Sequence, residues 1–175
     1  MLLRGASGTG KSSLLHLIAG LMRPSSGEIH VDGRDLSSMN DADRALFRRQ
    51  HLGVIFQKLN LLSHLTVAEN IALVSRDAKA IASALARVKM GEMADVRASV
   101  LSGGEQQRVA VARVLAQSPD LILADEPTSS LDDENASFVI DALKAAAQGK
   151  TFLVVSHDDR LAREFKDIRS LQELG

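Results

Sequence analysis

The residues with the clearest chemical purpose stand near the start of the chain, in the run Gly5-Ala6-Ser7-Gly8-Thr9-Gly10-Lys11-Ser12. This is the pattern G-x-x-x-x-G-K-[ST], in which glycines let consecutive backbone N–H groups converge on a phosphate with no Cβ in the way. Lys11 adds a point charge, and the hydroxyl of Ser12 is an oxygen ligand of the kind Mg²⁺ accepts. The loop follows Leu2-Leu3 and runs into SSLLHLIAGLM, an apolar-spaced stretch that reads as a helix with its positive N-terminal end toward the same phosphates. Strand, loop and helix are the context the pattern requires, so a nucleotide site is expected here.

Such a loop needs a scaffold, and the chain offers four short apolar runs: MLLRGA, LGVIFQ (52–57), LILADE (121–126) and FLVVSH (152–157). Unalternating runs rich in Val, Ile and Leu predict strands covered on both faces, with helical stretches between them. The expected fold class is therefore α/β, a parallel sheet flanked by helices. Ligands of such sheets sit beyond the carboxyl ends of the strands, and Gly5 to Ser12, Gln57, Asp125, Glu126 and His157 all fall there.

The intervening segments carry their own signals. Thr66-Val67-Ala68-Glu69 is a capping box, Ala78 to Val88 an alanine-rich helix, and Asn40 a cap for the helix DADRALFRRQ. In GEIHVDG (27–33), Ile29 and Val31 alternate with polar residues before Asp32-Gly33, a hairpin signal in need of a partner strand.

Composition narrows the function classes. A chain of 175 residues predicts one domain. With 21 basic and 22 acidic residues, a net charge of −1 argues against a general nucleic-acid or membrane-surface binder. There is no cysteine, so disulfides and thiolate metal sites are excluded. The longest apolar run, Leu14 to Met22, is broken by His16 and falls short of the ~20 residues that span a bilayer, and no secretory-signal pattern is present.

A second glycine motif, LSGGEQQR (101–108), precedes VAVARVLAQ, whose spacing suits a helix stopped by Ser118-Pro119. Ser102 with the amides of Gly103 and Gly104 would make a second anion-binding helix N-terminus; taken alone, SGG is a capped loop. In company it means more. GASGTGKS, Gln57 after a strand, LSGGEQQR, LILADEPTSSLD and His157 occur in the order found in the ATP-binding cassette ATPases, and the chain resembles that family over essentially its whole length.

The resemblance implies a P-loop nucleotidase fold with a small helical subdomain at about residues 60–100, in one nucleotide-binding domain spanning 1–175. It implies that Gly5, Ala6, Ser7, Gly8, Thr9, Gly10, Lys11, Ser12 and Ser13 hold the phosphates of ATP, and that Ser102, Gly103 and Gly104 contact ATP bound to a second subunit. Asp125 with Ser12 and Gln57 would hold Mg²⁺, Glu126 would orient and polarise the attacking water, and His157 would contact the γ-phosphate. Asp132 resembles the aspartate that crosses the dimer interface. A loop and a signature in one chain imply head-to-tail dimers, with separate transmembrane permease subunits as partners, no nucleic acid, and a place on the cytoplasmic face of the inner membrane.

Within the family, RRQHLGVIFQKLNLLSHLTVAENIAL looks most like the lipoprotein-releasing, macrolide-exporting and cell-division group, so the expected function is ATP-driven export or extraction of a lipid, lipoprotein or envelope component. Two competing readings are an incomplete cassette with weak ATP binding and a cassette acting on nucleic acid or ribosomes. Some features depart from the pattern. Glu105 stands where glutamine is commonest and Ser130 where alanine is, and the 43 residues from 58 to 100 are a short interval. The family's N-terminal antiparallel strands and adenine-stacking aromatic have no counterpart, so weaker adenine binding and an unpaired GEIHVDG edge are expected.

Overall fold

The structure is a computed structural model that describes residues 1–6 and 8–171. Its elements run β1 (Leu2–Arg4), α1 (Lys11–Ile18), β2 (His30–Val31), β3 (Arg34–Asp35), α2 (Asp41–His51) and β4 (Leu52–Ile55). They continue with α3 (Val67–Ala72), α4 (Ala78–Arg87), α5 (Gly103–Gln117), β5 (Leu121–Asp125), α6 (Asp133–Ala146), β6 (Thr151–Val155), α7 (Asp159–Glu164) and β7 (Ile168–Ser170).

Five of the strands form one sheet in the order β4-β5-β6-β1-β7, and every neighbouring pair is parallel. The four apolar runs supply four of them. The fifth, Ile168–Ser170, has a single apolar residue and no run to announce it; it is a strand because β1 offers it a parallel partner, with Leu2 opposite Ile168. That contact places β1 inside the sheet, between β6 and β7.

Alternation along each strand sends side chains to two faces. Leu2, Ile55, Ile122 and Val154 join one apolar cluster with Val109, Val111 and Val114 of α5 and Val139, Ile140 and Leu143 of α6. Leu3, Leu52, Leu123 and Val155 join another with Leu15 of α1, Ala19 just beyond it and Phe47 of α2. Both faces are covered, which is why these strands read as continuous apolar runs. The fit is tight enough under α5 to require a glycine. A Cβ on Gly53 would lie 2.6 Å from Pro119 Cγ and 2.9 Å from Val114 Cγ1.

The caps behave as their sequences predict. Asn40 Oδ1 accepts from Asp43 N at 2.9 Å, and Thr66 and Glu69 form a reciprocal box at the start of α3. The hairpin finds its partner in the residues that follow it. His30 and Val31 pair antiparallel with Asp35 and Arg34 around Asp32 (φ 50°) and Gly33 (φ 71°), two positive φ values that make the turn match strand twist. GEIHVDG is thus paired in a separate two-stranded sheet. Among the described residues no helix is long and apolar enough to cross a membrane.

Candidate functional site

The first loop wraps where β1 ends. Gly8 (φ 81°) and Gly10 (φ 93°) take left-handed conformations that a side chain would disfavour, and Gly10 leads directly into α1. Lys11 is buried, at 6% exposure, and donates to the carbonyl oxygens of Gly5 and Ala6, each at 2.8 Å. Its ammonium is thereby held over the loop with two neutral acceptors, ready to be exchanged for an anion. Thr9 Oγ1 closes the loop onto Ala6 O at 2.9 Å. Ser7 lies outside the described residues.

Around this loop is a cleft of about 420 Å³ lined by Gly8, Gly10, Lys11, Ser12, Ser13, Gln57, Glu126 and His157. The carboxyl-end convergence expected from the four runs therefore holds: the residues lie just beyond β1, β4, β5 and β6. Ser12 Oγ donates to Asp125 Oδ1 at 3.1 Å, and Asp125 is buried at 4% exposure. The Ser12 hydroxyl, the Asp125 carboxylate and the Gln57 amide line one pocket and could supply oxygen ligands of the kind Mg²⁺ accepts.

Glu126 is the most constrained member. Its φ of 47° turns the chain sharply at the end of β5, where its N–H donates to Val155 O at 2.8 Å. One carboxylate oxygen accepts from Ser156 Oγ at 2.6 Å. The other accepts from His157 N at 3.2 Å and lies 2.7 Å from His157 Nδ1. Ser156 is fully buried and is not a cleft residue, which is why its type and position carried no signal in the sequence.

Beneath this pair runs a polar network that sequence reasoning also missed. Asp158 Oδ2 accepts from Thr128 Oγ1 at 2.6 Å, and Arg160 reaches Asp158, Asp133, Leu131 O and Thr128 O. Burial alone would raise the Asp158 carboxyl, but the Arg160 guanidinium, the Thr128 hydroxyl and the Arg160 amide outweigh it and hold it down to about 2. These bonds fix the loop between β5 and α6 against the loop after β6.

Ser102, Gly103, Gly104 and Asp132 do not line this cleft. Ser102 caps α5 through a reciprocal box with Glu105, whose carboxylate accepts from Ser102 N at 2.8 Å and Ser102 Oγ at 2.7 Å. The Ser102 hydroxyl first, and its amide second, hold the Glu105 carboxyl below the ordinary range. Glu105 therefore has a structural task, and S-x-x-E in LSGGE was its signal. Asp132 is exposed and caps α6, its carboxyl held low by the backbone and side-chain N–H groups of Asn135.

A phosphate-binding loop, a buried acidic strand end and a polar cleft at the carboxyl edge of a parallel sheet define a nucleoside-triphosphatase of the P-loop class. The family model described as ABC transporter matches residues 1–129. The chain is 43% identical to the lipoprotein-releasing system ATP-binding protein LolD 1 of Caulobacter vibrioides, over 90% of this chain and 72% of that protein. It is 41% identical to the LolD of Xylella fastidiosa, over 98% of this chain and 75% of that protein. Among solved structures it is similar to the ATP-binding cassette MJ0796, dimeric and bound to ADP and Pi in a post-hydrolysis state, with a TM-score of 0.88 and 35% identity over 97% of this chain and 79% of that one. This chain belongs to the ABC transporter ATP-binding family: it is an ATP-binding, ATP-hydrolysing domain.

Proposed function

We propose that this chain is the motor subunit of a transporter that extracts or exports a lipoprotein, lipid or envelope component, working on the cytoplasmic face of the inner membrane with separate permease subunits. The observation that carries the motor part of this reading, two copies pairing over ATP, is the division of the site. The loop, Glu126 and His157 share one cleft, while a second capped helix N-terminus, Ser102-Gly103-Gly104, stands outside it on the same chain. Two copies placed head to tail would complete each other, and the cassette cited above is itself dimeric. The whole chain then acts as one nucleotide-binding domain, with residues 60–100 as its helical part.

In this mechanism Lys11 leaves its two carbonyl partners for the β- and γ-phosphates, joined by the amides of Gly5, Ala6, Ser7, Gly8, Thr9 and Gly10, with Ser13 at the edge. Ser12, Asp125 and Gln57 would hold Mg²⁺, which when bound neutralises charge on the phosphates. Glu126, aimed by its turn and its Ser156 and His157 partners, orients the attacking water and accepts its proton, and His157 meets the γ-phosphate. Positioning and charge supply most of the acceleration in phosphoryl transfer, so this division of labour suffices. Ser102, Gly103, Gly104 and Asp132 act on the nucleotide of the other copy.

Transmission to the membrane would use a groove beside Gln57, lined by Leu21, Arg48, Phe56, Leu73 and Arg113. Its rim exposes Leu21 and Leu73 at 43% and 54%. Such an apolar patch suits a helix of a permease. The lipoprotein assignment rests on the two LolD relatives. The test is light scattering of Glu126→Gln with ATP and Mg²⁺: an ATP-dependent dimer supports the reading, and a monomer under saturating ATP overturns it.

A further inference from the structure

Asn135 joins two elements that the pairing reading assigns to the partner's nucleotide. It sits in the first turn of α6, three residues after the cap Asp132. Its backbone N–H donates to Asp132 Oδ1 at 2.8 Å and its side-chain Nδ2 donates to Asp132 Oδ2 at 2.8 Å, so one residue engages both oxygens of that carboxylate. Its side-chain Oδ1 accepts from Arg108 NH2 of α5 at 2.7 Å. The two partners fix the amide's orientation, since arginine only donates and an ionised carboxylate only accepts. No other side chain of this length offers an acceptor to one and a donor to the other.

The contact also explains why the two glycines of LSGG differ. Around Gly103 there is nothing within 4 Å of where a Cβ would stand. A Cβ on Gly104 would meet Asn135 Cγ and Oδ1 at 3.1 Å each and Nδ2 at 3.3 Å. Gly104 lets Asn135 lie against the first turn of α5. Arg108 is steadied in turn by Phe138 of α6, whose ring centroid is 4.4 Å from its guanidinium carbon.

We propose that Asn135 is a positioning residue that locks Asp132 to the first turns of α5, so that Ser102–Gly104 and Asp132 reach the partner's nucleotide in fixed register. This inference rests on the head-to-tail reading above. Asn135 does not line its own chain's cleft, so its effect falls on pairing and turnover and spares nucleotide binding by a single chain.

Asn135→Asp separates this role from a structural one. Aspartate in the first turn of a helix favours the helix and keeps an acceptor for Arg108, but sets a carboxylate against Asp132. In the Glu126→Gln background, ATP-driven association should weaken by about tenfold or more, while single-chain binding of a fluorescent ATP analogue stays within about twofold. The deficit should narrow toward acid pH as the two carboxylates share a proton. Asn135→Ser, too short to bridge both partners, should weaken association without that pH dependence. Association within about twofold of the parent in both variants, or analogue binding weakened by the same factor as association, overturns the proposal. If the Glu126→Gln parent itself fails to associate with ATP, the head-to-tail reading fails, and this inference with it; a parent that pairs isolates the test to Asn135.

Discussion

Ser156→Ala is expected to slow hydrolysis without touching nucleotide binding. The serine is fully buried, its hydroxyl donates to Glu126 Oε2 at 2.6 Å, and Ser156 Oγ in turn accepts from Asp158 N at 3.1 Å. A hydrogen bond to a charged group is worth about 1.5–3 kcal/mol, so losing this one while Glu126 must hold a water in line corresponds to roughly ten- to a hundredfold in kcat. Stability should fall as well, by about 1–3 kcal/mol, because Asp158 N is left without its acceptor. The assay is steady-state phosphate release over a range of ATP concentrations, paired with titration of a fluorescent ATP analogue and a thermal melt. Because Ser156 is outside the cleft, analogue affinity should match the parent. A kcat within about twofold of the parent, or a fall in affinity that accounts for the lost rate, would refute the idea that this hydroxyl aims Glu126.

Other outcomes follow from single contacts. Gly53→Ala forces a methyl onto Pro119 and Val114 and should cost about 1–3 kcal/mol, lowering Tm by several degrees, with partial recovery in a Gly53→Ala, Val114→Ala double variant. Asp158 has a carboxyl depressed to about 2, so its stabilisation, about 2 kcal/mol, is complete above the ordinary carboxylate value and lost as pH falls from about 4 toward 2. The gap in Tm between the parent and Asp158→Asn should therefore be constant at neutral pH and shrink in that acid window; a gap flat through it would contradict the assignment. Arg113 of α5 donates to the carbonyl oxygens of Leu59 and Asn60, just after Gln57, and Arg113→Met should speed amide hydrogen exchange across residues 57–61.

What the sequence disclosed was whatever short-range pattern carries. The described residues of the loop Gly5 to Ser12, the caps at Asn40 and Thr66, the helix stop at Ser118 and four strands are each written within a few residues, and each stands where its pattern puts it. Ile168–Ser170 was hidden because its pairing depends on β1, far away in the chain. Ser156, Asn135 and Arg160 were hidden for the same reason: a serine, an asparagine and an arginine of ordinary type gain meaning only when folding brings Glu126, Asp132 and Thr128 beside them. The partner of GEIHVDG was the converse case. The turn Asp32-Gly33 was legible, but the returning Arg34–Asp35 is too short and polar to read as a strand.

The central claim is that each ATP site is shared between two copies of this chain. A mixing experiment tests it directly. Lys11→Ala should abolish nucleotide engagement, and Ser102→Arg should block the second helix N-terminus, so each variant alone is inactive. Mixed, the two form a dimer in which the intact loop of one faces the intact Ser102–Gly104 of the other, and ATP hydrolysis should return to a measurable fraction of the parent rate. Hydrolysis that stays at the level of the separate variants, in a mixture shown by light scattering to pair with ATP, would contradict the account.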